Sequence, residues 1–166
     1  MLKRDMKLIE IDHQDIDSKV FILFIQTADA VLKYADSYFY RKSGLSTIKF
    51  IVLQILNVNG GTMTPSEIAS WTFRERHNIT TLVARMKKEG LVTTVRSSND
   101  KRSINVSITK KGREALRLSV SIARNIVKKI MSSIAEKEVI SLQKILAILR
   151  RNAYDELLQI AEDTQN

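Results

Sequence analysis

Residues 64–112 read TPSEIASWTFRERHNITTLVARMKKEGLVTTVRSSNDKRSINVSITKKG, and the order of signals in this stretch decides the fold. Thr64-Pro65-Ser66-Glu67 is a helix start: Thr64 can cap the first turn, Pro65 suits the first helical position, and Glu67 stands where a capping box needs it. Ile68, Ala69 and Trp71 are then expected to pack inward on a short helix ending near Thr72. A second helix should begin between Phe73 and Arg76, with Thr72 and Glu75 offering another capping box, and should stop at Gly90. Its apolar positions Ile79, Leu82, Val83 and Met86 share one face. Leu91–Val95 and Ile104–Ile108 are β-branched and partly alternating, which predicts two antiparallel strands. The polar link Arg96–Ser103 is their hairpin tip. Helix, helix and hairpin in this order make a winged helix-turn-helix.

The flanks are helical. Residues 1–15 are polar and mixed in charge, and read as a loose arm or a frayed helix start. From Asp17 to about Arg41, Phe21, Phe24, Ala28, Val31, Ala35 and Tyr38 recur at alternating spacings of three and four, an apolar seam on one helix. Ser43-Gly44 ends it. Leu45–Asn57 is a further helix burying Leu45, Ile48, Ile51, Val52, Ile55 and Leu56, and Asn59-Gly60-Gly61 is a turn. Beyond the hairpin, Thr109 caps a long helix to about Ile134, and a last one runs from about Glu136 to Ile160. The expected fold class is mainly α with a small β-hairpin wing. Its organisation is 1–44 as arm and dimerisation helix, 45–112 as winged lobe and 113–166 as C-terminal dimerisation helices, one intertwined chain rather than separately folding parts.

With 166 residues the chain can bury a real core, and its apolar (44%) and charged (27%) fractions are ordinary for a soluble protein. The net charge of +9 is not ordinary and suggests a polyanionic partner. That charge is concentrated: between Gly60 and Ala115 eleven basic residues face five acidic ones, a surplus of six in about a third of the chain. A solvated face is the bland reading of a charge run. Coincidence with a helix-turn-helix and a hairpin tip favours a nucleic-acid surface instead.

On that reading the second helix of the motif enters the major groove. Its candidate DNA-binding residues are Arg74, Arg76, His77, Asn78, Thr80, Thr81 and Arg85, because arginine can fork onto guanine and asparagine onto adenine. On the wing, Arg96, Asp100, Lys101 and Arg102 are the candidates. Asp100 can orient the Arg102 guanidinium, which suits a narrow minor groove, while Lys101 and Arg96 meet phosphates. His77 reads equally well as an exposed helix-start residue.

Residues 45–115 resemble the MarR family of bacterial and archaeal transcription regulators. The resemblance is carried by Leu45-Ser46, Thr64–Ala69, Ile79–Val83, Arg85–Val92, Asn99-Asp100-Lys101-Arg102-Ser103 and Ile108-Thr109-Lys110-Lys111-Gly112. It implies a homodimer whose first and last two helices interlock, each subunit placing a recognition helix and a wing on a pseudo-palindromic operator. Members usually repress transcription, and many release DNA when an anionic aromatic ligand or an oxidant acts. The recognition-helix start, Phe73-Arg74-Glu75-Arg76-His77, departs from the family by being more charged, and the lack of cysteine removes the thiol-oxidation subgroup.

A dimer is expected without the family too. A winged lobe of about 70 residues has no use for apolar stripes on three further long helices, and left bare they would form an unusually large patch. Twofold symmetry would match a twofold operator. Tyr34, Tyr38, Phe39, Tyr40 and Phe50 cluster where the first two helices meet; Tyr34, Tyr38, Phe39 and Phe50 are the candidate ligand pocket, though aromatics at helical spacing are more often core. Trp71 reads as a core anchor.

No metal site is expected from two histidines 64 positions apart and no thiolate. No cofactor is implied, and no nucleophile–base pair, acid pair or phosphate-cradling glycine loop suggests an enzyme. The longest apolar run, Val20–Ile25, is too short for a bilayer and no cleavage site is visible, so the reading is cytoplasmic with no membrane partner. The expected function is a dimeric, sequence-specific DNA-binding repressor, relieved by a small aromatic or anionic effector. The alternative is a winged-helix protein-interaction module that never touches DNA.

Overall fold

The computed structural model describes residues 15–96 and 104–163. Helix α1 (Ile16–Ser43) starts where the Asp15 carboxylate accepts the Ser18 N–H at 2.7 Å, and it stops at Gly44, whose φ of 71° no helix continues. Helix α2 (Thr47–Val58) is tied to α1 by the Thr47 N–H, which donates to the Asp36 carboxylate at 2.7 Å. It is apolar almost all round and buries Val52, Leu53, Ile55 and Leu56, which makes it the central helix of the lobe. Leu53, absent from the expected face, is fully buried because α2 is covered on more than one side.

After a glycine turn, strand β1 (Thr62–Met63) leads into helix α3 (Pro65–Thr72). Helix α4 (Arg76–Lys88), strand β2 (Val92–Arg96) and strand β3 (Ile104–Ile108) complete the winged helix-turn-helix. The sheet has three antiparallel strands in the order β1-β3-β2. The β2–β3 register runs from Val92 opposite Ile108 to Arg96 opposite Ile104, as the hairpin reading requires. The third strand was not legible: two residues carry no periodicity, and Thr62 and Met63 pair with Ser107 and Val106, more than 40 positions further along the chain.

One core holds the lobe together. Leu53, Leu56, Ile68, Ile79, Met86 and Val106 have no more than traces of exposed surface and bring α2, α3, α4 and the sheet into contact. Helix α5 (Lys110–Met131) is fixed to the lobe at its start. Thr109 Oγ1 accepts the Gly112 N–H and donates to the Gly90 carbonyl at 2.7 Å. Gly112 lies so close to the Leu91 carbonyl that a Cβ there would sit 2.1 Å from its oxygen. A smaller cluster of Ala35, Phe39 and Ile126 joins α1 to α5, with Tyr34, Tyr38, Phe50, Ile122 and Ala123 around it.

By internal contacts the chain divides between Ile126 and Val127. The second unit contains the end of α5 and helix α6 (Glu136–Asp163), which begins where the Ala135 N–H donates to the Glu138 carboxylate at 3.0 Å. α6 buries none of its residues, and Ile140, Ile145, Ile148, Leu157 and Leu158 are among the large apolar side chains it leaves in solvent. In the first unit α1 likewise exposes Phe21, Leu23 and Phe24. Among the described residues no helix is long and apolar enough to cross a membrane.

Candidate DNA-binding surface

The brace of the motif is α3. Thr64 Oγ1 accepts the Glu67 N–H at 3.2 Å while the Glu67 carboxylate accepts the Thr64 N–H at 2.6 Å, closing the expected capping box. These hydrogen bonds, the backbone one foremost, lower the Glu67 pKa from its ordinary 4.5. The second expected capping box does not form. Thr72 belongs to α3, where its hydroxyl donates to the Ile68 and Ala69 carbonyls, and the N-cap residue Glu75 makes no side-chain cap.

Helix α4 turns its buried stripe, Ile79, Val83 and Met86, to the core. At 100° per residue, His77, Thr81 and Lys88 lie opposite that stripe, with Arg76 and Thr80 on one flank and Asn78 and Arg85 on the other. Lys87 Nζ donates to the Thr94 hydroxyl of β2 at 2.8 Å, which identifies the Arg76–Thr80 flank as the wing side. All seven expected recognition residues, Arg74, Arg76, His77, Asn78, Thr80, Thr81 and Arg85, are exposed. Between Arg76 and Lys88 the helix carries no acidic residue, so the exposed face is uniformly cationic or neutral. Glu75, Arg76, His77, Thr80 and Thr81 line an open concavity of about 560 Å³ at its N-terminal end.

The two threonines are more constrained than sequence could tell. The Thr80 hydroxyl donates to the Arg76 carbonyl at 2.9 Å and the Thr81 hydroxyl to the His77 carbonyl at 3.1 Å. With their protons committed to the helix, both can accept from a base amino group or offer a methyl, but not donate. The far end of α4 is clamped: Lys49 of α2 pairs with the Glu89 carboxylate, and Lys111 Nζ donates to the Glu89 carbonyl at 2.7 Å. On the wing, exposed Arg96 ends β2 opposite Ile104. Asp100, Lys101 and Arg102 lie outside the described residues.

The turn between α3 and α4 holds two surprises. Trp71, expected in the core, is 57% exposed, because Ile68 and Ala69 already fill the inward face of an eight-residue helix. Phe73 is also 57% exposed and takes φ 51°, ψ 43°, the one non-glycine with positive φ among the described residues. Its N–H donates to the Ser70 carbonyl and the Arg74 N–H to the Ala69 carbonyl, a Schellman closure. α4 closes the same way on Gly90, whose N–H meets the Lys87 carbonyl while the Leu91 N–H meets that of Met86. A Cβ in this backbone region costs about 1–2 kcal/mol. The available signal was the lack of any glycine between Pro65 and Glu89, which forces another residue into the left-handed position.

Among the candidate pocket residues, Phe39 and Phe50 stack with centroids 4.9 Å apart and Tyr34 and Tyr38 meet at 5.8 Å. Phe39 is buried, and Tyr34, Tyr38 and Phe50 pack half-buried against it. Yet the buried hydroxyls of Tyr34, Thr47 and Ser119 have no hydrogen-bond partner.

A braced recognition helix with a cationic outer face, beside a three-stranded wing, defines a winged helix-turn-helix transcription regulator. The chain belongs to the MarR family: residues 43–103 match the family's sequence model, and 112 residues are 31% identical to the HTH-type transcriptional repressor IacR of Pseudomonas putida. That alignment covers 68% of this chain and 66%, about two thirds, of the repressor. Among solved structures the chain is similar to the transcriptional regulator BldR from Sulfolobus solfataricus, with a TM-score of 0.71, 26% identity and coverage of 84% of this chain and 99% of that one. It is also similar to the regulator MosR of M. tuberculosis in complex with DNA, with a TM-score of 0.69, 25% identity and coverage of 80% and 94%. The family is one of transcription regulators rather than enzymes.

Proposed function

We propose that the protein is a homodimeric, sequence-specific DNA-binding repressor of the cytoplasm, acting on a pseudo-palindromic double-stranded operator. The acid-free outer face of α4 carries the reading. Arg74, Arg76, His77, Asn78, Thr80, Thr81 and Arg85 address one major groove per subunit, and Arg96, Lys101 and Arg102, with Asp100 as orienting partner, address the adjacent minor groove and its phosphates. The dimer is supported by the bare apolar faces of α1 and α6. A small aromatic effector seated at Tyr34, Tyr38, Phe39 and Phe50 relieves repression. The unsatisfied Tyr34 hydroxyl supports it, since a buried hydroxyl without a partner costs about 1–3 kcal/mol that a polar ligand group would recover.

The test is binding to duplexes selected from random sequence, followed as salt is raised, for wild type and Arg102→Ala. Affinity of the wild type should fall linearly on logarithmic axes as counterions are released. Arg102→Ala should bind about 1–3 kcal/mol more weakly while remaining dimeric. No selectable duplex, or a flat salt response, would favour the interaction module.

A further inference from the structure

Helix α4 is held at its C-terminal end by side chains that come from other helices. Glu89 is the focus: its carboxylate pairs with Lys49 of α2, and its carbonyl accepts from Lys111 Nζ of α5 at 2.7 Å. One residue on, the Gly90 carbonyl accepts from the Thr109 hydroxyl. Among the described residues, the Lys49 ion pair is the one hydrogen-bonded link between α2 and α4. Lys49 is itself well anchored. Two residues before it the Thr47 N–H is held by Asp36 of α1, and the next residue, Phe50, packs against both core clusters. Only 16% of the Lys49 side chain meets solvent, so its ammonium is committed to Glu89.

Glu89 stands where charge alone disfavours it. The last turn of α4 carries Arg85, Lys87 and Lys88, which suit the negative end of a helix dipole, whereas an acid at the cap does not. An acid in a lobe that binds DNA also repels the phosphates. A partly exposed ion pair contributes little to stability; what this one fixes is an angle. From Glu89 to Arg76 the helix is about 20 Å long, so a tilt of about 5° about Glu89 carries Arg76 by about 2 Å. Hydrogen bonds to base edges do not survive a shift of that size.

We propose that Lys49 and Glu89 are positioning residues for operator recognition: their ion pair fixes the tilt of α4 on the lobe, and with it the depth at which Arg76, His77 and Asn78 enter the major groove. The inference rests on the reading of α4 as the helix that enters that groove. Lys49 and Glu89 act through α4 and do not themselves touch DNA.

The sign of one effect separates position from charge. Glu89→Gln removes a negative charge, so a purely electrostatic role predicts tighter binding to every duplex. Loss of the tilt predicts weaker binding, and on the selected site alone. The experiment measures affinity for a duplex selected from random sequence with the wild-type protein, and for a scrambled duplex of equal length, over a series of salt concentrations. Glu89→Gln and Lys49→Met should each bind the selected duplex roughly three- to thirtyfold more weakly. Glu89→Gln should bind the scrambled duplex no more weakly than wild type, and both variants should keep the wild-type salt slope, because no phosphate contact is lost. The double variant should lose no more than the worse single one, and the exchange of Lys49→Glu with Glu89→Lys should recover most of the affinity. Melting midpoints should move by no more than about 4 °C.

Glu89→Gln that binds the selected duplex as well as wild type or better overturns the proposal and leaves the DNA-binding reading standing. So does an exchange that recovers nothing, or a loss of affinity that follows a larger fall in melting midpoint. A Lys49→Met salt slope lower by about one would make Lys49 a phosphate contact and overturn it too. Wild type that selects no duplex overturns both.

Discussion

Glu67 ties local structure to solution behaviour. Its carboxylate closes the α3 capping box, and hydrogen bonds from Thr64 hold its pKa below 4.5 in the folded state. In the unfolded chain that restraint is gone, so the unfolded state binds the extra proton first as pH falls. The contribution is therefore complete above pH 4.5 and is lost as pH drops through the lowered folded value. Glu67→Gln keeps a hydrogen-bonding cap but cannot titrate. It should be less stable than wild type at pH 7 by about 0.3–1 kcal/mol, from the lost charge at the helix start. The difference should shrink below pH 4.5; thermal melts at a series of pH values read this directly, and parallel curves would remove the charge from the account. Gly112 is limited by space rather than by charge. A methyl there meets the Leu91 carbonyl, which is backbone and is already held by Thr109, so Gly112→Ala must push α5 away from the lobe. Overpacking of this kind costs about 1–3 kcal/mol or more. Circular dichroism melting should show a loss of at least several degrees; an unchanged midpoint would mean that α5 is not seated as described.

At the scale of elements, what the sequence could announce depended on how locally each feature is determined. α1 was legible to within two residues at its ends, because Asp15 and Gly44 fix them with neighbours a few positions away. The capping box of α3 and the strands of the hairpin were legible for the same reason. Six of the seven candidate recognition residues, Arg76, His77, Asn78, Thr80, Thr81 and Arg85, fell on the exposed faces of α4 because the stripe of Ile79, Val83 and Met86 turns to the core; Arg74 precedes the helix. Non-local features were not legible. β1 exists through its pairing with β3, the Thr72 hydroxyl could equally have capped α4 or back-bonded within α3, and the exposure of Trp71 depends on how much of α3 the core has room for. The N-terminal edge of α4 combines both kinds. Its charge is visible in the sequence, while the left-handed backbone at Phe73 appears only in the fold.

For the whole molecule the decisive fact is how much apolar surface the single chain leaves bare. α6 has 28 residues and buries none, yet it presents Ile140, Leu142, Ile145, Leu146, Ile148 and Leu149 within ten positions. A helix without a packed face is marginal in water even when its residues favour helix. α1 offers Phe21, Leu23 and Phe24 in the same condition. In the proposed homodimer a second copy would cover such faces at no cost in new sequence, and its twofold axis would present two copies of α4 to a twofold operator. If folding and pairing are one event, stability depends on protomer concentration. The melting midpoint should therefore rise with each tenfold increase in protein, and Leu146→Glu, which sets a charge into the bare face, should sediment as a monomer or fail to fold. Phe24→Glu should behave alike. A Leu146→Glu protein that stays dimeric with a concentration-independent midpoint would show that these faces are covered by something other than a second subunit, and would separate the α4 surface from the symmetry on which palindromic recognition depends.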